Sequence, residues 1–198
     1  MLSIPRLIIA LVFLAIIAIL DFRTDILKIK SKSKYNKLSV FFIGLIVLLS
    51  IEYIEDFVTY NYFDDELKED TPSLPLCEQR AGYDALLAGV SEEIIFRYLI
   101  FNVICLKYFK LGINKSIIIS SLLFGIVHIN QYLSFGVNIY NTLIVILQAI
   151  PAGAIFAYVY SQTNLTTAIL LHFTLDFIDF LLLRCNKNLY KNILFIHG

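Results

Sequence analysis

The sequence predicts an all-α protein, a polytopic membrane bundle of about six transmembrane helices. Three observations carry that prediction. Hydrophobic residues make up 59% of the 198-residue chain and charged residues only 16%, with a mean hydropathy of +0.77. Soluble domains run closer to about 45–50% and 25%. The apolar excess is gathered into runs near the roughly 20 residues a helix needs to cross a bilayer core. Those runs also lack the two-residue alternation of lipid-facing strands, so helices are expected rather than a barrel.

Taken in order, the first element is Ile4–Leu20. Its apolar stretch behind Arg6 resembles a signal peptide but is long for one. It is followed by Asp21 and Arg23 instead of a small-residue cleavage site, so it reads as a retained first span. The spans that follow are Leu38–Ile54, Tyr83–Leu106, Ser116–Leu133, Ile139–Tyr160 and Leu165–Leu183. No internal repeat separates them into halves.

The connections differ in charge. Arg23, Lys28, Lys30, Lys32, Lys34 and Lys37 make the first loop basic, and Lys107, Lys110 and Lys115 follow the third span. The stretch from Glu52 to Arg80 holds nine acids, from Glu52 and Glu55 to Asp70 and Glu78, against Lys68 and Arg80. Its plain reading is a solvated segment; capture of a cationic peptide is the sharper alternative. Odd-numbered loops hold nine Lys and Arg and the other side six, so the positive-inside rule places both termini outside the cytoplasm. Trp is absent, and Tyr35, Tyr53, Tyr60 and Tyr158 are the candidates for an aromatic belt. A net charge of zero gives no reason to expect nucleic acid as a partner. Cys77, Cys105 and Cys185 form neither a disulfide framework nor a thiolate metal pattern.

Ionisable side chains inside apolar spans are the informative exceptions, because each costs roughly 2.5–3.5 kcal/mol at mid-membrane and therefore faces an interior or a cavity. In the third span Glu93 and Arg97 stand four apart and can pair on one helix face, which accounts for both. Glu92 is turned about 100° away and is left over. The fourth span carries Phe124, Gly125 and His128; taken alone, His128 is equally well an interhelical hydrogen-bond group, and Gly125 a site of close packing. In the sixth span His172, Asp176 and Asp179 line one stripe, where a carboxylate beside an imidazole can fix its tautomer. The bland alternative is a self-satisfied polar stripe facing the bundle interior. At 1.5 Å rise per residue, Glu92, His128, His172 and Asp176 fall about 8–17 Å below the same membrane face. A shared depth predicts one submerged polar cavity.

Such a set can hydrolyse a peptide bond. A glutamate withdrawn from bulk water can act first as general base and then as acid. Histidine can share in activating water or bind zinc as neutral imidazole, and a second histidine can donate to an oxyanion. H-E-x-x-H and G-x-S-x-G are both missing, so the usual zinc-protease helix and serine elbow are not expected. Glu92, His128 and His172 from separate helices remain a conceivable three-ligand zinc set.

Glu92-Glu93-x-x-x-Arg97, Phe124-x-x-x-His128 and His172-x-x-x-Asp176 together resemble the three motifs of the CPBP family, in its order and spacing. That family comprises CAAX-type prenyl endopeptidases and bacteriocin-processing or immunity proteins. The resemblance covers about residues 82–184, within a core of residues 81–185. Two helices and the acidic loop (residues 1–80) precede that core, and a short tail (residues 186–198) follows. It implies a multi-pass intramembrane endopeptidase of a bacterial cell membrane, acting on a peptide or membrane-associated protein. Glu92 and His128 would activate water, His172 and Asp176 would stabilise the oxyanion or bind metal, and Glu93 and Arg97 would shape the site. A divalent metal such as zinc and a metal-free glutamate mechanism both stand as implications. Asp176 occupies a position where family members often carry Asn. Two other classes compete: a non-catalytic bacteriocin-immunity or membrane-partner protein, and a transporter or proton relay, since buried acids also mark ion pathways.

Overall fold

A computed structural model describes residues 35–62, 77–134 and 139–181. The expected first span, most of the basic loop, much of the acidic loop and the C-terminal tail lie outside the described residues. Among those described, the secondary structure is entirely helical. Helix α1 runs Lys37–Tyr62 and α2 Cys77–Glu93, which continues without a break into a π-helical segment, Ile94–Tyr108. Helices α3 (Ile113–Ser134), α4 (Ile139–Gln162) and α5 (Leu165–Asp179) complete the bundle.

The five sequence spans that fall on described residues are all helices. The structure extends the second to Tyr62 and starts the third at Cys77, because Glu55, Asp56 and Glu78 are compatible with helix even where they end a hydropathic run. One stretch, residues 37–54, passes a strict test of span length and hydropathy (mean 2.0), and Ile113–Ile129 is apolar but shorter. The third span is divided between a 17-residue α-helix and a 15-residue π-helical segment.

Winding changes at the acid pair. After Glu93 the backbone closes its hydrogen bonds over five residues, as in Phe109 N–H to the Ile104 carbonyl at 2.9 Å. Residues four and five apart then share a face. Glu93, Arg97, Phe101 with Asn102, and Cys105 follow one another into the interior on that period. Most π-helical turns in proteins are single bulges, frequently at functional sites; here the segment spans 15 residues and begins beside the acid pair.

Polarity is inverted relative to a soluble domain. Arg97 and Glu93 have no accessible surface, and Asn102 and Ser120 are buried with them. Phe42, Ile43 and Ile46 on α1, Ile118, Leu122 and Ile126 on α3, and Leu170 on α5 face outward. An apolar exterior of this extent needs an apolar surrounding. The core beside the polar interior is Val40, Leu48, Phe96, Phe124, Phe156, Val159, Leu171 and Leu175.

Two close approaches fix the helix positions around that interior. A Cβ on Gly89 of α2 would stand 3.0 Å from the backbone nitrogen of Phe173 and 3.3 Å from the Ile169 carbonyl, so α2 and α5 meet backbone to backbone. A Cβ on Gly125 of α3 would fall 3.0 Å from the Ile146 carbonyl of α4, in keeping with the close packing its sequence position suggests.

Candidate active site

The six residues singled out in the sequence converge from three helical elements. Glu92 and Glu93 end α2, Arg97 lies in the first turn of its π-helical continuation, His128 lies on α3, and His172 and Asp176 lie on α5. Asp179, on the same stripe, closes α5.

Arg97 Nε sits 3.0 Å from Glu93 Oε2, with both side chains fully buried. The guanidinium carbon lies 4.9 Å from the ring centre of Phe124, 5.5 Å from Phe156 and 5.9 Å from Phe96. A bare ion pair in so dry a place costs several kcal/mol of desolvation per ion. The three ring faces offset part of that cost through cation–π attraction. The other oxygen of Glu93, Oε1, accepts from Nδ1 of His172 at 3.0 Å. Arg97, Glu93 and His172 thus form one chain across two helical elements.

Sequence spacing pointed to Asp176 as the carboxylate that orients His172. The structure assigns the Nδ1 contact to Glu93 instead, and Asp176 Oδ2 stands 3.6 Å from Nε2, on the other edge of the ring. Spacing along α5 shows only same-helix neighbours, whereas Glu93 arrives from a helix 79 residues earlier in the chain.

His128 is anchored locally. Its Nδ1 is 2.6 Å from the carbonyl oxygen of Phe124, one turn back. A carbonyl only accepts, so Nδ1 carries the proton and Nε2 is turned outward. Both imidazoles present Nε2 to one atom: Glu92 Oε2 is 3.9 Å from His128 Nε2 and 3.9 Å from His172 Nε2. Glu92 keeps 28% of its side-chain surface accessible and Asp176 21%, whereas His172 keeps 5%. The face bearing Glu92 is therefore the approachable one.

Tetrahedral zinc with ligand distances of about 2.0–2.1 Å holds its donor atoms about 3.3–3.4 Å apart. The separations here are 3.9 Å, and among the described residues no group of three or more His, Cys, Asp or Glu side chains is disposed to hold a metal ion. As placed, Glu92 is spaced more widely than that from His128 and His172. Both pairs are also beyond direct hydrogen-bond reach, at a separation that one water spans with two ordinary bonds of about 2.8 Å.

Phe156, which sequence reasoning passed over, stacks on His172 with ring centres 4.4 Å apart and planes 16° apart. Its helix carries no Asp, Glu, His, Lys or Arg that would have drawn attention, and only the fold brings the ring to the site.

Helices that turn apolar faces outward and gather acids and imidazoles inward define a submerged polar site of membrane type. A sequence model of the type II CAAX prenyl endopeptidase Rce1-like family matches residues 80–178, half of the chain. The chain belongs to that family, whose members are membrane-embedded CAAX-type proteases acting on peptides or proteins. The matched stretch starts just before Gly82 and ends just past Asp176, so it contains all six site residues. No curated protein and no solved structure matches the chain significantly.

Proposed function

We propose that this protein is a multi-pass intramembrane endopeptidase that hydrolyses a peptide bond with a water activated by Glu92 and His128. The single observation carrying this reading is that one carboxylate oxygen of Glu92 stands equally far, 3.9 Å, from Nε2 of His128 and Nε2 of His172. A water held among those three atoms gives one proton to Glu92 as its oxygen attacks the scissile carbonyl carbon. His128, fixed at Nδ1 by the Phe124 carbonyl, accepts the second water hydrogen bond and aims the lone pair. His172 in its imidazolium form donates from Nδ1 to Glu93 and turns its second N–H toward the substrate oxyanion, with Asp176 as a nearby carboxylate at 3.6 Å. Collapse of the tetrahedral intermediate breaks the C–N bond, and Glu92 passes its proton to the departing amine.

Six spans in all, with two preceding the matched region, complete the proposed topology, and a peptide or membrane-associated protein is the proposed substrate. Turnover of a membrane-peptide substrate by purified protein tests the reading. Glu92→Gln and His128→Ala each lower kcat by about 10²–10⁴, the usual contribution of general acid–base catalysis. Undiminished turnover in both variants sinks it. Retained peptide binding by a wild-type protein that never cleaves supports the immunity-type alternative instead.

A further inference from the structure

We propose that α4 supplies a fourth part of the site, with Phe156 as the positioning residue that fixes the plane of the His172 imidazole. This rests on His172 belonging to the hydrolytic site proposed above. The Cβ–Cγ bond and one hydrogen bond, from Nδ1 to Glu93 Oε1 at 3.0 Å, hold one edge of the ring, which can still swing about the line joining them. Swinging would carry Nε2 away from Glu92 and Asp176, which it faces at 3.9 and 3.6 Å. Phe156 removes that freedom. Its ring lies 16° from parallel with the imidazole at 4.4 Å, and Phe124 meets the same imidazole at 62° and 6.0 Å.

The flanking residues of α4 serve the same arrangement. Phe156 is 1% exposed and cannot retreat, because it packs among Val159, Leu171 and Phe124 in the main core. A Cβ at Gly153 would stand 3.1–3.2 Å from three atoms of Phe124, so the missing side chain seats the ring whose carbonyl anchors His128. One turn of α4 therefore braces both histidines, through Phe124 and through Phe156. Phe156 also stands 5.5 Å from the Arg97 guanidinium, so a single ring touches both ends of the Arg97–Glu93–His172 chain.

The experiment uses full-length protein labelled with ¹⁵N,¹³C-histidine, of which the chain has three. Phe156→Leu is expected to move the His172 ring resonances downfield, because the shielding face of the aromatic ring is gone. It is also expected to lower kcat about tenfold with KM nearly unchanged, a change equal to about 1.4 kcal/mol. Phe156→Met fills more of the same space without a ring face and carries the same expectation should the Leu variant not fold. Phe101→Leu is the control, since Phe101 is equally buried but packs on Tyr160. That variant should lose stability while the His172 resonances and kcat stay in place. Unmoved His172 resonances in the Phe156 variants, or equal movement in Phe101→Leu, overturn the inference. The resonances need no turnover, so a failure of the peptidase reading shows separately, as full activity in Glu92→Gln.

Discussion

Replacing Glu93 by glutamine tests whether the buried chain from Arg97 to His172 is one unit. The change keeps shape and removes one negative charge from a pair at 3.0 Å with no accessible surface on either side. Removing one member of a buried ion pair strands the other and costs about 3–5 kcal/mol. The rings of Phe96, Phe124 and Phe156 still face the guanidinium at 4.9–5.9 Å and return part of that loss. The expected destabilisation is therefore near the lower end, about 3 kcal/mol. His172 loses its charged acceptor at the same time, and replacing the carboxylate that orients a catalytic imidazole should lower activity at least ~tenfold. Stability is read by reversible unfolding in detergent micelles and activity by cleavage of a fluorogenic membrane peptide. Adding Arg97→Met separates the two effects. Without the stranded cation, and with a thioether among three aromatic rings, the double variant should regain most of its stability. Its activity should stay low, because His172 still lacks the carboxylate. A single variant within about 1 kcal/mol of the parent, or a double variant no more stable than the single, refutes the reasoning.

Asp176→Asn should keep activity within about threefold, because the amide retains an acceptor oxygen toward His172 Nε2, whereas Asp176→Ala should lose about tenfold or more; steady-state kinetics on both variants decides. Gly89→Ala places a methyl group 3.0 Å from the Phe173 backbone, where no side chain can yield, and should cost about 1–3 kcal/mol in unfolding measurements. It should lower activity as well, since Phe173 follows His172 directly and α5 must shift. Activity should survive exhaustive chelation, with metal content measured on the same sample. Loss on chelation with recovery on adding zinc would replace the water-bridged arrangement by one in which the 3.9 Å separations close around an ion.

The helical class, the order of five helices and the identity of the polar side chains gathered inside the bundle were all legible along the chain. Each rests on a local signal: runs of about 20 apolar residues, a four-residue spacing, and the cost of a charge where water is scarce. The Glu93–Arg97 pair was legible for the same reason, as an i,i+4 contact within one continuous helix. Tertiary structure alone decided which carboxylate orients His172, because Glu93 and His172 are 79 residues apart and meet only where Gly89 lets α2 touch α5. It also decided that Glu92 faces two imidazoles from two different helices, and that Phe156, one apolar residue among many on α4, lies flat on one of them. Apolar residues look alike in sequence, and what distinguishes them is the neighbour that packing supplies. The polar residues announced themselves by being expensive to bury, whereas the ring that orients one of them gave no such signal.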